Sequence, residues 1–465
     1  MILAFRRELF ARTFGPRSRG RPGSSAKRGK IADRWTRCGD AVTVAGMGLR
    51  FVSLLGLLTM LAVAWGCSLN RRRFPWRVVA WGLALQFSLA LVLLHTQGGR
   101  ALFDTAGKAV RALTAYADEG SRFVFGPLAD AALLDRVFGG RGLIFAVMVT
   151  GTIILVSSLS AVLYHWGLLQ QVVRTMAWLM RRLMGTSGAE TLSAAANVFM
   201  GQTEAPLLVR PYIAQMTRSE LLCLMTGGMA TIAGGVAAVY ARMGAEAGHP
   251  DMAGHLLTAS VMNAPAALVM AKILLPETET SVTTNGHLVD PPRLSVNSLD
   301  ALCQGAADGL RLSLNVLAML IAFVAVVALV NGSLELMQRW LGVTEPVTLQ
   351  EVLGWLNAPF AWLLGTPLQD CWTVGQILGE RIVLNEFIGY STLTRPDTVL
   401  TERAFVLTTY ALCGFANVTS IAIQVGGIGS LAPERRAEMA RLGVRAMLGG
   451  VLATYSTACV VGVLL

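Results

Sequence analysis

Two carboxylates interrupt long apolar stretches of this sequence: Glu204 in Asn197-Val-Phe-Met-Gly-Gln-Thr-Glu-Ala-Pro-Leu207, and Glu386 in Asn385-Glu386-Phe387. A carboxylate at the centre of a bilayer costs roughly 2.5–3.5 kcal/mol on insertion scales. Each must therefore face a cavity, a partner or a ligand; the plainer alternative is a structural hydrogen bond between helices. Gln202, Thr203 and Glu204 lie between Gly201 and Pro206. A residue free in its dihedrals and a residue without a backbone donor together suit an unwound tip. Such a tip offers an amide, a hydroxyl and a carboxylate to the donors and acceptors of a polar ring. Asn417 and Ser420 are three apart and share a helix face. With Glu386 they suit vicinal hydroxyls. Asn197 and Thr231 are uncharged oxygen donors near the first carboxylate. With carbonyls freed by unwound helix, they are the ligand type of a hard cation. Phe415, beside Asn417, either packs or lines a pocket.

The elements that must position these groups are membrane spans. Of the 465 residues, 54% are hydrophobic and 14% charged, where a soluble domain carries about a quarter charged. A single soluble core stops growing near about 250–300 residues and has no use for this much apolar surface. Apolar runs at 51–69, 78–95, 143–164, 253–275, 310–330 and 444–465 are of spanning length. Residues 96–140 alternate apolar and charged positions at helical spacing and read as helix lying at the interface. The Arg-rich loop 70–77, and Arg174, Arg181 and Arg182, belong on the cytoplasmic side. Residues 276–298 are polar and read as an exposed loop. The remaining apolar segments are broken. Residues 188–213 surround Glu204, and 220–241 follow with Gly227, Gly228, Gly234 and Gly235. Residues 350–393 surround Glu386, and 404–426 follow with Gly414, Asn417 and Ser420. A broken segment with a carboxylate, then a Gly-containing span with hydroxyls, thus occurs twice. Matched interrupted segments in two halves point to the midplane site of a transporter.

The net charge of +11 suggests nucleic acid until it is located. Residues 1–46 hold eleven Arg and Lys against three Asp and Glu, so +8 of the total lies there. This leader lacks apolar periodicity and is expected to be disordered. It reads as an interaction tail, a targeting segment, or sequence ahead of a true start at Met47. The seven cysteines form no C-x-x-C pair and are expected to be packing residues rather than a metal or disulfide framework. The five histidines fall at span ends or loops. Metalloprotease, nucleophile-elbow and phosphate-loop motifs are absent. These readings favour a transporter over an enzyme.

The polar motifs resemble those of the concentrative nucleoside transporter family. Asn197 to Leu207 is similar to its first hairpin, Met225-Thr-Gly-Gly-Met-Ala-Thr-Ile-Ala-Gly-Gly235 to its fourth transmembrane helix, Asn385-Glu386-Phe387 to its second hairpin, and Cys413-Gly-Phe-Ala-Asn-Val-Thr-Ser420 to its seventh helix. The similarity runs from about Met47 to Leu465. It implies an all-α polytopic membrane protein with about eight transmembrane helices, two re-entrant helical hairpins and interfacial helices, assembled as a trimer in the cell (inner) membrane. Scaffold elements would occupy 47–187, and an exposed loop with a scaffold span 276–345. The transport domain would comprise 188–275 and 346–465 and move as an elevator. Carried over by position, Gln202, Thr203 and Glu204 would contact the nucleobase, with Val236 beside it. Glu386, Asn417 and Ser420 would bind the ribose hydroxyls, and Phe415 would line the pocket. Sodium, the coupling ion, would sit on Asn197, Thr231 and the carbonyls of Met200 and Ile232. Proton-coupled members lack the Asn of this site, so its presence here favours sodium. Thr231 stands where other members have Ser and keeps the oxygen; Val418 and Thr419 stand where Phe and Ser are commoner. The expected activity is sodium-coupled nucleoside import. Proton coupling through Glu204 or Glu386 is the alternative within that class, and an intramembrane hydrolase the alternative outside it. Coupling would arise because a cation offsets the cost of a buried carboxylate, so that ion and substrate favour each other.

Overall fold

The computed structural model describes residues 48–138, 144–283, 295–343 and 346–465. The basic leader and Met47 lie outside the described residues. Among those described there are helices and no strands.

The first spans are α1 (Gly48–Gly66) and α2 (Trp76–His95). Amphipathic α3 (Gln97–Phe125) follows, capped by the Thr96 hydroxyl, which accepts from Gly99 N. After the short α4 (Ala131–Phe138), α5 (Phe145–His165) spans again. Then α6 (Leu168–Met184) buries Val173, Ala177, Met180 and Met184 and exposes Arg174, Arg182 and Trp178. Arg77, at the start of α2, donates to the Leu183 and Arg182 carbonyls at 3.2 and 3.1 Å. The two Arg-rich segments therefore sit at one end of the bundle, as one side of a membrane requires.

Four interrupted elements come next, in two pairs. The first pair is α7 (Gly188–Ala196), a non-helical stretch, a 3-10 turn at Ala205–Val209 with α8 (Arg210–Ile213), and then α9 (Arg218–Ala230) broken from α10 (Gly234–Glu246). Capping boxes start α7 at Ser187/Glu190 and α9 at Thr217/Glu220. The span α11 (Met252–Leu274) and the 43-residue α12 (Ser298–Trp340) separate the pairs. After α13 (Leu349–Leu363), the second pair is α14 (Cys371–Val383) broken from α15 (Glu386–Leu393), and α16 (Glu402–Leu412) broken from α17 (Val418–Leu431). The chain ends in α18 (Arg436–Leu464).

Seven described helical segments are long and apolar enough to cross a membrane. The expected count of about eight is reached only if α16 and α17 are taken together as one interrupted span. Two spans differ from their sequence expectation. The 253–275 run reads as an ordinary span, yet 89% of the α11 apolar window is buried, against 11% for α12. Protein encloses α11 on all sides; an apolar helix looks alike in sequence whether its surroundings are side chains or lipid tails. The 310–330 run is only the apolar centre of α12. Asn297 caps that helix by accepting from Asp300 N at 2.8 Å, which moves its start twelve residues before 310. At 1.5 Å per residue its length is about 65 Å, roughly twice a bilayer core, so it must tilt or protrude. It lies directly on α5: a Cβ at Gly305 would stand 2.7 Å from Ser157 O, and one at Gly309 2.8 Å from Ile154 Cα. This is the small-residue spacing that lets membrane helices approach closely.

Candidate functional site: crossed helix breaks

In the first pair, helix stops at Asn197 and resumes only at Ala205, because Gly201 and Pro206 flank a turn that regular hydrogen bonding cannot cross. The second break follows Thr231, an extended residue with φ −124° and ψ 166°. In the second pair, Asn385 Oδ1 restarts the helix by accepting from Ile388 N at 2.9 Å, and Asn417 Oδ1 does the same for Ser420 N at 2.9 Å. The breaks lie against one another. Phe415 N donates to Thr231 O at 3.3 Å. Asn263, on enclosed α11, spans both, donating to Ala230 O at 2.8 Å and Cys413 O at 2.7 Å.

Around these breaks runs a connected polar chain. Glu386, only 5% exposed, accepts from the Tyr240 hydroxyl at Oε1 and from Asn417 Nδ2 at Oε2, both at 3.0 Å. Gln202 Nε2 reaches Ser420 Oγ at 3.3 Å, and Gln202 Oε1 accepts from Gln424 Nε2 at 3.1 Å. Gln424 also donates to Met225 O at 3.0 Å. Gly228 makes room for this pair, since a Cβ there would lie 2.6 Å from Gln424 Nε2 and 3.0 Å from Gln202 Cβ. Thr203 packs on α17, where a Gly427 Cβ would meet its methyl at 2.9 Å. The structure thus brings Gln202, Glu386, Asn417 and Ser420 into one network with Thr203 alongside. It keeps Glu204 out of that network: this carboxylate is exposed and turns back to accept from Gly201 N at 3.2 Å. Val236 is buried in the first turn of α10, and the Phe415 ring is half-buried.

The candidate cation ligands gather about Gly227. Asn197 Nδ2 donates to Ser193 O at 3.0 Å and would lie 3.3 Å from a Gly227 Cβ. The Thr231 hydroxyl donates to Gly227 O at 3.0 Å. Asn197 is fully buried, and its Oδ1 has no hydrogen-bond partner. Met200 and Ile232 lie in the two breaks, outside regular helix, and Gly234 N ties them by donating to Phe199 O at 3.2 Å. A buried acceptor without a donor is costly, and neutral oxygens at unwound helix are a donor set that fits a sodium ion.

Four residues that the sequence reading did not single out complete the site: Tyr240, Gln424, Asn263 and Arg381. Gln424 is four residues after Ser420, and Tyr240 four after Val236, so helical spacing already placed both on the site faces. Arg381 changes the electrostatic picture. Its guanidinium is fully buried, donates to Gly414 O at 3.5 Å in the break before Asn417, and lies within electrostatic reach of Glu386.

Paired broken helices crossing at a buried polar network, inside a bundle of spanning helices, define a multi-pass secondary transporter and not an enzyme. Comparison with known proteins gives the family. Residues 55–128 match the model for the Na+ dependent nucleoside transporter N-terminus, 146–247 that for a nucleoside recognition gate, and 255–462 that for the Na+ dependent nucleoside transporter C-terminus. The chain is 42% identical over 416 residues to an uncharacterized transporter of Haemophilus influenzae, covering 88% of this chain and 96% of the relative. It is 38% identical over 463 residues to sodium/nucleoside cotransporter 1 of Rattus norvegicus, covering 92% and 68%. Solved structures of CNTnw in an inward-facing substrate-bound state and, for a double variant, in an outward-facing state each superpose with a TM-score of 0.82 at 38% identity, over 89% of this chain and 97% of that one. The chain belongs to the concentrative, Na+-dependent nucleoside transporter family.

Proposed function

We propose that this protein is a sodium-coupled symporter that imports nucleosides by an elevator motion. The observation that carries the reading is the continuous chain Glu386–Asn417–Ser420–Gln202–Gln424, which joins the two broken pairs at one buried locus. Glu386, Asn417 and Ser420 present acceptors and donors matched to ribose hydroxyls. Gln202, Thr203 and Glu204 present an amide, a hydroxyl and an exposed carboxylate to the base, with Val236 and Phe415 supplying apolar surface. The buried, unpartnered Asn197 Oδ1 supports sodium at Asn197, Thr231 and the carbonyls of Met200 and Ile232.

The contact between breaks supports a route for coupling. An ion that orders Thr231 also orders the Phe415 backbone hydrogen-bonded to it, two residues from Asn417. Ordering one site lowers the cost of filling the other. Residues 188–275 and 346–465 would move together against a scaffold formed by 47–187 and 276–345. The largely unburied α12, with Ile321, Leu329 and Leu336 exposed, is the face we assign to a trimer interface.

The test is uptake of labelled uridine into proteoliposomes. An imposed sodium gradient at fixed pH is expected to drive accumulation, and the nucleoside is recovered intact. Accumulation driven only by a pH gradient would transfer the coupling to protons and refute the sodium site.

A further inference from the structure

Arg381 lies on α14, five residues ahead of Glu386 and across the break that separates α14 from α15. Its side chain is 0% exposed. Nη2 donates to Gly414 O at 3.5 Å, inside the break between α16 and α17, while Nε and Nη1 have no hydrogen-bond partner. The guanidinium stands 5.8 Å from the centroid of the Tyr455 ring on α18. The charged and titratable groups facing it are Tyr455, Glu386, Tyr390 and Cys413. Glu386 is the one acid among them. Around Glu386 itself stand Tyr240 from α10, Asn417 at the start of α17, and Arg381.

A guanidinium held in a protein interior with idle N–H groups carries a desolvation cost that packing alone does not repay. A neutral side chain of similar length would fill the same volume without that cost. What only Arg supplies here is a permanent charge and a donor: the donor reaches the turn that leads from Gly414 to Asn417, whose amide holds Glu386, and the charge lies within electrostatic reach of that carboxylate. We infer that Arg381 is a positioning residue for nucleoside recognition, acting as the fixed counter-charge of Glu386 and aligning the Gly414–Asn417 turn, so that carboxylate and amide are prepared for ribose hydroxyls before the nucleoside arrives. This rests on the assignment of Glu386 to the ribose. It also separates two jobs of positive charge: Arg381 serves the substrate carboxylate and the ion serves the Asn197 site.

The experiment compares uptake of uridine with uptake of 2′-deoxy- and 3′-deoxyuridine, reading KM and Vmax separately in proteoliposomes at saturating sodium. The preference of the wild type for uridine over the more weakly bound deoxy analogue is the readout. Arg381→Met is expected to raise the KM for uridine about tenfold with little change for that analogue, so the preference falls toward one. Arg381→Lys keeps the charge and is expected to restore most of it, whereas Arg381→Gln is not. In a Glu386→Gln background, Arg381→Met is expected to change the preference no further. A structural role predicts something else: lower yield and Vmax in both backgrounds, with the preference intact, and that result overturns the inference. If Arg381→Met fails to reach the membrane, the contrast between Arg381→Lys and Arg381→Gln decides, and equal preferences in those two overturn it. If Glu386→Gln alone leaves the preference unchanged, the ribose assignment falls and the inference with it. If Glu386→Gln abolishes the preference while the Arg381 variants retain it, the inference falls alone.

Discussion

In the second broken pair, Asn385 and Asn417 cap the helices that resume after each interruption; in the first, neither the turn at Ala205 nor α10 starts on a side-chain cap. The carboxylates follow the same division. Glu386 is buried and held by a phenol and an amide, with the Arg381 charge within electrostatic reach; Glu204 is exposed and held by one backbone N–H. The first pair keeps an acceptor in reserve at its candidate cation ligands, the buried Asn197 Oδ1; in the second pair the unpartnered buried atoms are Arg381 Nε and Nη1 and Gln424 Oε1. Two halves built on one plan have thus divided the labour. The second is assembled in advance around its anion, which Tyr240 and Asn417 already hold. The first is left short of a partner, and an incoming cation can make good the deficit. Preorganisation gives affinity by lowering what binding must spend on ordering. A deficit gives dependence on a ligand, which is what coupling requires.

The largest effect expected from this division is at Glu386. Glu386→Gln keeps the shape but replaces a charged acceptor with a neutral amide facing Arg381. Hydrogen bonds to charged groups contribute about 1.5–3 kcal/mol each, so uridine kcat/KM in proteoliposomes should fall by on the order of 100-fold. The loss should be much smaller for a deoxy analogue that lacks the hydroxyl concerned. Glu204→Gln should leave that ribose preference in place and alter the ranking of bases instead. Equal loss of ribose preference in the two variants would erase the contrast between the halves.

Next in size is Asn197→Ala, which removes the reserved acceptor of the first pair. The sodium concentration for half-maximal uptake should rise roughly 10- to 150-fold, the equivalent of about 1.5–3 kcal/mol, while uridine KM at saturating sodium stays near that of the wild type. A variant with unchanged sodium dependence would remove the ion from this half.

How far this arrangement was legible in the sequence differs by feature. The breaks announce themselves, because Gly201, Pro206 and the caps Asn385 and Asn417 act locally on the backbone. The network partners do not. Gln424 and Tyr240 share helical spacing with Ser420 and Val236, but spacing shows a common face and not whether that face meets a neighbouring helix. Asn263 sits in a run that reads as an ordinary span; nothing in an apolar helix records that other helices surround it. Glu204 lies in a turn outside regular helix, flanked by Gly201 and Pro206. Its separation from the Glu386 network is a matter of tertiary geometry that no spacing encodes.

Asn263 links the halves, and its removal should weaken both together. Asn263→Ala leaves the Ala230 and Cys413 carbonyls without their donor. Stranding buried acceptors costs about 1–3 kcal/mol, which should lower the Tm of the detergent-solubilised protein by several degrees. If the brace connects the ion site to the pocket, added sodium should also protect uridine binding less well in this variant. A lower Tm with full mutual enhancement of sodium and uridine binding would mean that the Phe415–Thr231 contact carries the coupling unaided.

The smallest expected effect is the most selective test of preorganisation. Tyr240 stacks on Tyr390 with ring centroids 4.1 Å apart and meets Phe387 at 5.5 Å. Phe in its place retains the ring contacts and deletes only the hydroxyl that donates to Glu386. One hydrogen bond of this kind contributes about 1 kcal/mol, so uridine KM should rise about fivefold with Vmax unchanged. The deoxy analogue that lacks the Glu386 contact should show little change, because Tyr240 acts through the carboxylate and not on the base. The first pair offers no equivalent variant, since the donor to Glu204 is the Gly201 backbone and side-chain replacement cannot delete it. An unchanged KM in Tyr240→Phe would mean that Asn417 and Arg381 hold Glu386 without help, and the second half would then be over-determined at its anion rather than balanced upon it.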